Sequence, residues 1–207
     1  MQNKPMLHST THPTPVGELT LVASDHGLRA VVWPTSSLKR ARVTGRPHRN
    51  SDHPILQTTT RQLDEYFAGE RTTFDIPLDL DGTRFQVAAW RSLAQIPFGS
   101  TTTYGHQAAG LGIPTAARAI GAANGANPVC IVLPCHRVIG SDGSLTGFGG
   151  GLPVKRWLLD HEARVLANFP SPVPGEGRGG GSTSSIDSTH QWQHRQSVQT
   201  RLSMPVG

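Results

Sequence analysis

The two cysteines of the chain, Cys130 and Cys135, lie within one apolar stretch of twelve residues, VCIVLPCHRVIG, at positions 129–140. A free thiol has a pKa near ~8.5 and is mostly protonated at neutral pH. It becomes a nucleophile where a neighbouring base or a positive dipole favours the thiolate. Cys135 has such neighbours in the sequence, because His136 and Arg137 follow it directly. The stretch is therefore either a buried strand with an unreactive thiol or a segment that holds a nucleophilic cysteine.

Whether His136 can reach the thiol depends on the backbone around Pro134. In an extended strand, adjacent side chains point to opposite faces, so His136 would face away from Cys135. A turn after Pro134 would bring the two side chains together. Cys130 sits among β-branched residues without an activating neighbour in the sequence, which predicts a core position. A disulfide between the two thiols would close a very short loop and is not expected.

Glu162 is a second chemically suggestive residue. The last predicted helix, VKRWLLDHEARVL, has an apolar stripe formed by Val154, Leu158 and Val165. Glu162 falls on this stripe, and a carboxylate directed at a core is costly unless it is paired. A histidine such as His136 would satisfy the carboxylate and would itself be held in one tautomer. The alternative is that Glu162 extends to solvent at the helix edge; His161 beside it is expected to be exposed.

A metal site is the third chemistry to consider. The pattern C-x4-C-H offers three soft ligands close together. Structural zinc sites usually combine two separated ligand clusters, and no second cluster follows in the sequence. We therefore predict no metal site.

Two short helices joined by a glycine-containing turn precede the cysteine stretch. The first begins near Thr103, which can act as its N-cap, and glycines end it. The second begins at Pro114 or Thr115 and continues to about Asn124, so the pair predicts a helix-turn-helix.

The second of these helices, TAARAIGAAN, carries small residues and one long polar side chain, Arg118. Recognition helices in the major groove normally carry Asn, Gln or Arg for the base edges. A helix of small residues fits a narrow groove, where a single arginine can enter the base stack. The helix predicts DNA binding without sequence readout; an alanine-rich packing helix is the alternative.

The composition sets the broad class. The chain has 207 residues, a net charge of +5 and a pI of about 9.9, which favours anionic partners such as nucleic acid. Two cysteines are too few for a disulfide scaffold. No apolar run approaches the ~20 residues of a membrane helix, and the first residues lack the apolar segment of a secretory signal. We expect a cytoplasmic protein without membrane contact.

The pattern along the chain predicts an α+β protein of two domains. Residues 1–13 are polar and proline-rich and are predicted to be flexible. Residues 14–80 contain a predicted β-hairpin, an amphipathic helix that ends at Gly69, and a short strand, TTFDIPLDLDG. Residues 81–167 hold the helix-turn-helix, the cysteine stretch read as a strand, and the last helix. Residues 168–207 are rich in Gly and Ser and are predicted to be a disordered tail.

These features together resemble a known family. NPVCIVLPCHRVIGSDGSLTGFGGGLPVKRWLLDHE and the upstream FQVAAWRSLAQIPFGSTTTYGHQAAGLGIPTAARAIGAANGANP resemble the active-site region of methylated-DNA–protein-cysteine methyltransferases, also called O6-alkylguanine-DNA alkyltransferases. The Pro-Cys-His-Arg-Val core is the most specific part. The resemblance covers about residues 14–166 and is weakest before residue 80. It implies a small ribonuclease-H-like N-terminal domain and a mostly helical C-terminal domain with a DNA-binding helix-turn-helix.

The resemblance implies roles for the matching positions of the reacting site. Cys135 resembles the alkyl acceptor, and His136 resembles the base that takes its proton through a bridging water. Glu162 resembles the carboxylate that orients the histidine. Asn127 resembles the hinge asparagine whose side chain braces the turn and the active-site strand. Tyr104 resembles the tyrosine that donates a hydrogen bond to the departing guanine.

The resemblance also implies the DNA contacts. The alkylated oxygen of guanine lies inside the duplex, so the nucleotide must be extruded before it can react. Arg118 resembles the finger that fills the gap left by the flipped nucleotide. Thr115, Ala117 and Ser141 are the further positions expected at the DNA.

A glycine-rich loop resembles the pocket for the flipped base. Ser141 and the backbone of residues 147–151 resemble this loop, and Phe148, Gly149 and Val138 are the expected pocket residues. Phe148 stands where many relatives have tyrosine, so a hydroxyl contact to the base is absent.

The implied activity is the irreversible transfer of the alkyl group of O6-alkylguanine in duplex DNA to Cys135, with O4-alkylthymine as a further candidate substrate. The product is a stable thioether, so each molecule would react once, as a monomer, without a cofactor and without sequence specificity. The main alternative is a non-catalytic alkyltransferase-like protein that binds lesions; such relatives lack the acceptor cysteine. A sequence-specific regulator and a cysteine hydrolase are weaker alternatives, because the second helix has few polar residues and nothing indicates an acyl pocket.

Overall fold

The computed structural model describes residues 5–168. In chain order its elements are β1 (His8–His12), β2 (Leu19–Ser24), β3 (Gly27–Val32), β4 (His48–Arg49), α1 (Pro54–Ala68), α2 (Arg84–Leu93), β5 (Thr102–Thr103), α3 (Tyr104–Gly110), α4 (Ala117–Gly125), β6 (Val138–Ile139) and α5 (Leu152–Asn168). The predicted tail lies outside the described residues, apart from Asn168 at the end of α5. Among the described residues, no helix is long and apolar enough to cross a membrane.

The N-terminal half is a four-stranded sheet in the order β3-β2-β1-β4, with α1 packed against it. β2 and β3 form the predicted antiparallel hairpin around Asp25 and His26. β1 pairs antiparallel with β2, so the prediction that residues 1–13 are flexible is wrong over His8–His12. This strand is held by backbone pairing and most of its side chains are only half-buried. Its sequence, HSTTH, therefore lacks the apolar alternation that would have revealed it.

The helix α1 carries the core of this half and ends where the sequence predicts. Gly69 follows it with φ +80°, a left-handed conformation that suits glycine. The residues buried on its core face include Leu56, Leu63 and Tyr66.

The predicted strand TTFDIPLDLDG is not a regular strand. It makes a single bridge between Leu78 and Leu28, where the Leu28 N–H donates to the Pro77 carbonyl at 2.7 Å. Pro77 has no N–H of its own, which prevents a continuous ladder here.

The C-terminal half consists of α2 to α5 and the short parallel pair β5–β6. Thr103 caps α3 as predicted, because its Oγ1 accepts a hydrogen bond from the His106 N–H at 3.1 Å. A tight turn with Gly112 at φ +75° leads to α4. α4 begins at Ala117 rather than at Pro114 or Thr115, since the preceding residues form a turn before the helix begins. The predicted helix-turn-helix is therefore present, with a shorter second helix.

Candidate active site

The segment between α4 and β6 is folded into turns, so the predicted strand VCIVLP is wrong. Asn127 organises these turns: its Nδ2 donates to the Leu133 carbonyl at 2.8 Å, and its Oδ1 accepts from the Val129 N–H at 3.1 Å. Ile131 has φ +74°, a left-handed conformation that is costly for a β-branched residue. A short apolar run has no period that separates a strand from buried turns, which explains the incorrect prediction.

Cys135 begins a single 3₁₀ turn, Cys135–Arg137, directly after Pro134. Its side chain is buried, and its Sγ lies 3.7 Å from the Sγ of Cys130. A hydrogen bond from the Cys130 thiol is the largest influence that lowers the pKa of Cys135. The Asn127 amide and the Lys155 charge lower it further, whereas burial opposes them. The surroundings of this thiol therefore favour the thiolate.

His136, which follows Cys135 in the chain, is completely buried. Its Nε2 lies 2.7 Å from Oε1 of Glu162. Burial lowers the pKa of His136, although the hydrogen bond with Glu162 opposes this. A neutral imidazole that donates its Nε2–H keeps a lone pair on Nδ1. Nδ1 is buried and has no partner among the described residues, so the site holds an unused basic nitrogen.

Glu162 is completely buried on α5 and is the centre of a hydrogen-bond network. It accepts from Arg137 Nε and Nη2, each at 2.9 Å, from the Tyr66 hydroxyl at 2.9 Å, and from the Gly99 N–H at 2.9 Å. Burial would raise the pKa of this carboxyl, but His136 and Arg137 outweigh it and hold the pKa at about 2. Glu162 is therefore a charged carboxylate that fixes the orientation of His136.

Two of the side chains that bond to Glu162 were not assigned a role from the sequence. Tyr66 lies on α1 in the other half of the molecule, 96 positions away in the chain. Arg137 was visible beside His136, and a buried carboxylate calls for a buried cation, so this residue could have been found. The expectation that His161 is exposed is wrong: it is buried, and its Nε2 lies 2.9 Å from the Tyr66 carbonyl oxygen.

Tyr104 is the first residue of α3. It is connected to the segment after Cys135 by contacts with Thr146 and Lys155. Its hydroxyl oxygen accepts a hydrogen bond from Thr146 Oγ1 at 3.1 Å. Lys155, which the sequence did not single out, donates from Nζ to the carbonyls of Val138 at 2.6 Å and Thr146 at 2.8 Å. The same ammonium lies 6.0 Å from the centre of the Tyr104 ring. Lys155 thus ties the loop after β6 to the tyrosine.

The expected pocket residues lie on and beside this loop. Phe148 and Gly149 are half-buried, whereas Ser141 is exposed. The Phe148 ring makes an edge contact with Trp33 of the N-terminal half, with ring centres 5.5 Å apart. Val138 is completely buried, and its carbonyl accepts the hydrogen bond from Lys155.

Apart from Ser141 on the pocket loop, the expected DNA-binding residues lie on the helix-turn-helix. Arg118 and Thr115 are exposed and Ala117 is half-buried. Asn124 Nδ2 donates to Gln107 Oε1 at 2.7 Å, which joins α4 to α3. A Cβ placed on Gly121 would lie 3.8 Å from the Tyr104 ring, so α4 also packs beside the tyrosine.

A separate cluster in the N-terminal half, formed by residues of β1, the β2–β3 turn and the start of α1, could hold a metal ion. The ligand atoms of His8, Asp25 and His53 all lie within 4.8 Å of one another. The sequence did not reveal this cluster, because the sheet brings together residues that are far apart in the chain. It is formed by residues other than those of the acceptor site.

The chain matches two family models along most of the described residues. Residues 7–80 match the ribonuclease-like domain of 6-O-methylguanine DNA methyltransferase, and residues 84–164 match the DNA binding domain of 6-O-methylguanine DNA methyltransferase. These matches confirm the predicted architecture of a ribonuclease-like N-terminal part and a helical DNA-binding part.

Several curated relatives are similar over most of their length. The methylated-DNA–protein-cysteine methyltransferase of Mycobacterium bovis is 46% identical over 157 residues, which covers 76% of this chain and 93% of the relative. The protein of that name from Methanosarcina acetivorans is 42% identical over 149 residues, covering 72% and 94%. The one from Shigella flexneri is 42% identical over 160 residues, covering 74% and 94%.

Solved structures agree with these relatives. The crystal structure of the Mycobacterium tuberculosis O6-methylguanine methyltransferase has a TM-score of 0.66 at 44% identity, covering 77% of this chain and 94% of that chain. A crystal structure of the Mycobacterium tuberculosis OGT in complex with DNA has a TM-score of 0.67 at 45% identity, covering 76% and 94%.

Proposed function

The chain belongs to the methylated-DNA–protein-cysteine methyltransferase family and is an alkyl-transferring DNA repair enzyme, and we propose that its alkyl acceptor is Cys135. Its substrate is O6-alkylguanine in duplex DNA, with O4-alkylthymine as a second candidate. The observation that carries this assignment is that the buried thiol shares one 3₁₀ turn with a buried histidine whose Nδ1 has no hydrogen-bond partner among the described residues. We further predict that the protein acts as a monomer in the cytoplasm.

His136 is the base of the proposed reaction. Its Nε2–H is committed to Glu162 at 2.7 Å, so only Nδ1 can accept a proton. The Cys135 proton moves to Nδ1 through a bridging water, and the imidazolium that forms is stabilised by the Glu162 carboxylate. The role of Glu162 is thus to fix the tautomer and to balance the charge.

In the transfer step, the Cys135 sulfur forms a bond to the alkyl carbon while the bond from that carbon to guanine O6 breaks. The electrons of the broken bond move into the purine ring, so guanine leaves as an anion. This anion takes up one proton, which balances the proton that the His136 imidazolium took from Cys135. Tyr104 donates a hydrogen bond to the departing base, because its own oxygen already accepts from Thr146 and its hydrogen is free to point elsewhere. The thioether product retains no leaving group that would regenerate the thiol, so each molecule reacts once.

DNA binding is assigned to the helix-turn-helix. Extrusion of a nucleotide costs a few kcal/mol, and Arg118 offsets part of this cost by occupying the vacated place in the stack. Thr115 lies in the turn before α4, Ala117 is the first residue of α4 and Ser141 lies on the pocket loop. We propose that these three residues contact the DNA. The small residues of α4 approach the minor groove without reading base edges, which suits a lesion that occurs in any sequence.

The proposal is tested with duplex DNA that carries one O6-methylguanine. The intact protein should gain one methyl group, and peptide mapping should locate it on Cys135. The Cys135→Ala variant should bind the same DNA without any gain in mass. Tight lesion binding by the wild-type protein without methyl transfer would instead support the non-catalytic alternative.

A further inference from the structure

Cys130 has a contact with the acceptor that its sequence context did not indicate. It is buried as predicted, yet its Sγ lies 3.7 Å from the Sγ of Cys135, within the range of a hydrogen bond between sulfurs. The same Sγ lies 3.5 Å from the carbonyl oxygen of Asn127. A thiol has one proton, so Cys130 can donate to only one of these two acceptors at a time.

The surroundings of Cys130 keep this thiol protonated. Its pKa is raised well above the ordinary value, first by the contact with Cys135 and then by burial. The thiol lines a small pocket with Trp33 and Gly149, and a Cβ on Gly149 would lie 3.9 Å from its sulfur. Cys130 is therefore a donor held next to the sulfur that reacts.

We propose that Cys130 is a further catalytic residue, whose S–H rotates from the Asn127 carbonyl to the Cys135 sulfur when that sulfur loses its proton. This inference rests on the proposed role of Cys135 as acceptor. The rotation moves only a hydrogen, so the buried site need not rearrange. A hydrogen bond to a charged acceptor is stronger than one to a neutral carbonyl, which gives the rotation its direction. Once the sulfur is alkylated it is a neutral thioether and a weak acceptor, so the S–H returns to Asn127.

The benefit to the reaction is a larger fraction of thiolate at neutral pH. Each unit by which the acceptor pKa falls raises the thiolate fraction about tenfold and reduces its nucleophilicity about threefold. The net gain is about threefold to fourfold per unit when the pH is below the pKa. Above the pKa the gain disappears, because the thiol is then ionised in any case.

Other charged groups around the acceptor are the same in every Cys130 variant. His136 and Arg137 belong to its own turn, and the Lys155 charge acts on it from α5. Glu162 on α5 contacts His136 and Arg137, and Tyr66 and Tyr104 lie on α1 and α3. A difference between Cys130 variants therefore reports on the Cys130 thiol itself.

The test compares Cys130→Ala and Cys130→Val, which remove the donor, with Cys130→Ser, which keeps one. The second-order rate constant of methyl transfer to the full-length protein is measured against pH under reducing conditions, with thermal unfolding as a control for folding. Both apolar variants should transfer about threefold or more slowly at neutral pH, and the midpoint of their pH profile should lie higher. At a pH above both midpoints they should match or exceed the wild type, and Cys130→Ser should remain close to the wild type.

An unchanged midpoint in a folded apolar variant, or a serine variant that behaves like alanine, would overturn the inference. If neither apolar variant folds, the Cβ chemical shifts of both cysteines in the wild-type protein decide, because Cys130 must remain protonated while Cys135 titrates. Absence of methyl transfer in the wild-type protein would instead contradict the proposed function, so the two failures are distinguishable.

Discussion

Among the side chains that the structure describes, Glu162 takes part in the largest number of hydrogen bonds. It is completely buried and faces the guanidinium of Arg137 at 2.9 Å. Glu162→Gln keeps the shape of the side chain but leaves the Arg137 charge without a counter-ion. Removing one partner of a buried ion pair costs about 3–5 kcal/mol. We expect a loss of this size in the free energy of unfolding, measured by urea denaturation, together with slower methyl transfer.

The matched control for this substitution is Asp160→Asn on the same helix. Asp160 is exposed, so its replacement should change the free energy of unfolding by less than about 0.5 kcal/mol. Equal effects of the two substitutions would show that the Glu162 charge is not needed to hold the site together.

The stability of the protein should also fall in acid because of the same residue. The pKa of Glu162 is about 2 in the folded protein, against an ordinary value of 4.5. The unfolded chain therefore binds more protons than the folded one between these values, and stability decreases as the pH falls through this window. The lowered pKa of His136 acts in the same direction, beginning below its ordinary value of 6.5.

The measurement is urea unfolding at neutral pH and at about pH 3 for the wild type and for Glu162→Gln. Glu162 alone should contribute about 2 kcal/mol to the loss of the wild type by about pH 3. The variant lacks this carboxylate, so it should lose less stability over the same interval. An equal loss in both proteins would mean that Glu162 is not the group that titrates.

At the scale of helices and turns, the elements that could be predicted from the sequence are those whose ends are set by neighbouring residues. The N-cap of α3 at Thr103 and the end of α1 at Gly69 are set by neighbouring residues, and both predictions are confirmed. The apolar stripe of α5 placed Glu162 in the interior for the same reason. The turns around Cys135 depend instead on Asn127, whose side chain forms hydrogen bonds with the backbone of Val129 and Leu133. Hydrophobic periodicity carries no information about such bonds.

The exposed face of α4 leads to a prediction about DNA rather than about stability. Arg118 is exposed, so Arg118→Ala should leave the free energy of unfolding almost unchanged. If the side chain fills the place of the flipped nucleotide, the substitution should slow methyl transfer from duplex DNA and leave the reaction with the free base O6-methylguanine unchanged. The measurement is the rate constant of methyl transfer from duplex DNA and from free O6-methylguanine, for the wild type and for Arg118→Ala.

Arg164→Ala is the matched control for Arg118→Ala. It removes the same charge from an exposed position on α5, and we expect it to affect the duplex reaction much less. Equal slowing by both substitutions would indicate a general effect of positive charge, and equal slowing of both substrates by Arg118→Ala would contradict the finger role.

Across the whole molecule, the N-terminal half contributes directly to the site on the C-terminal half. The Tyr66 hydroxyl reaches Glu162, and Trp33 packs against Phe148 on the pocket loop. Neither contact could be predicted from the sequence, since each joins residues far apart in the chain and neither side chain has an unusual local pattern. The two halves are therefore coupled through the carboxylate that orients His136.

A double-mutant cycle of Tyr66→Phe and Glu162→Gln measures this coupling. A hydrogen bond to a charged group contributes about 1.5–3 kcal/mol, whereas a bond between neutral groups contributes about 0.5–1.5 kcal/mol. Tyr66→Phe should therefore cost about 1 kcal/mol more in the wild-type background than in the Glu162→Gln background. Urea unfolding of the four proteins gives the coupling free energy. Identical losses in both backgrounds would mean that the Tyr66 hydroxyl acts independently of the carboxylate, and that the N-terminal half stabilises the site by packing alone.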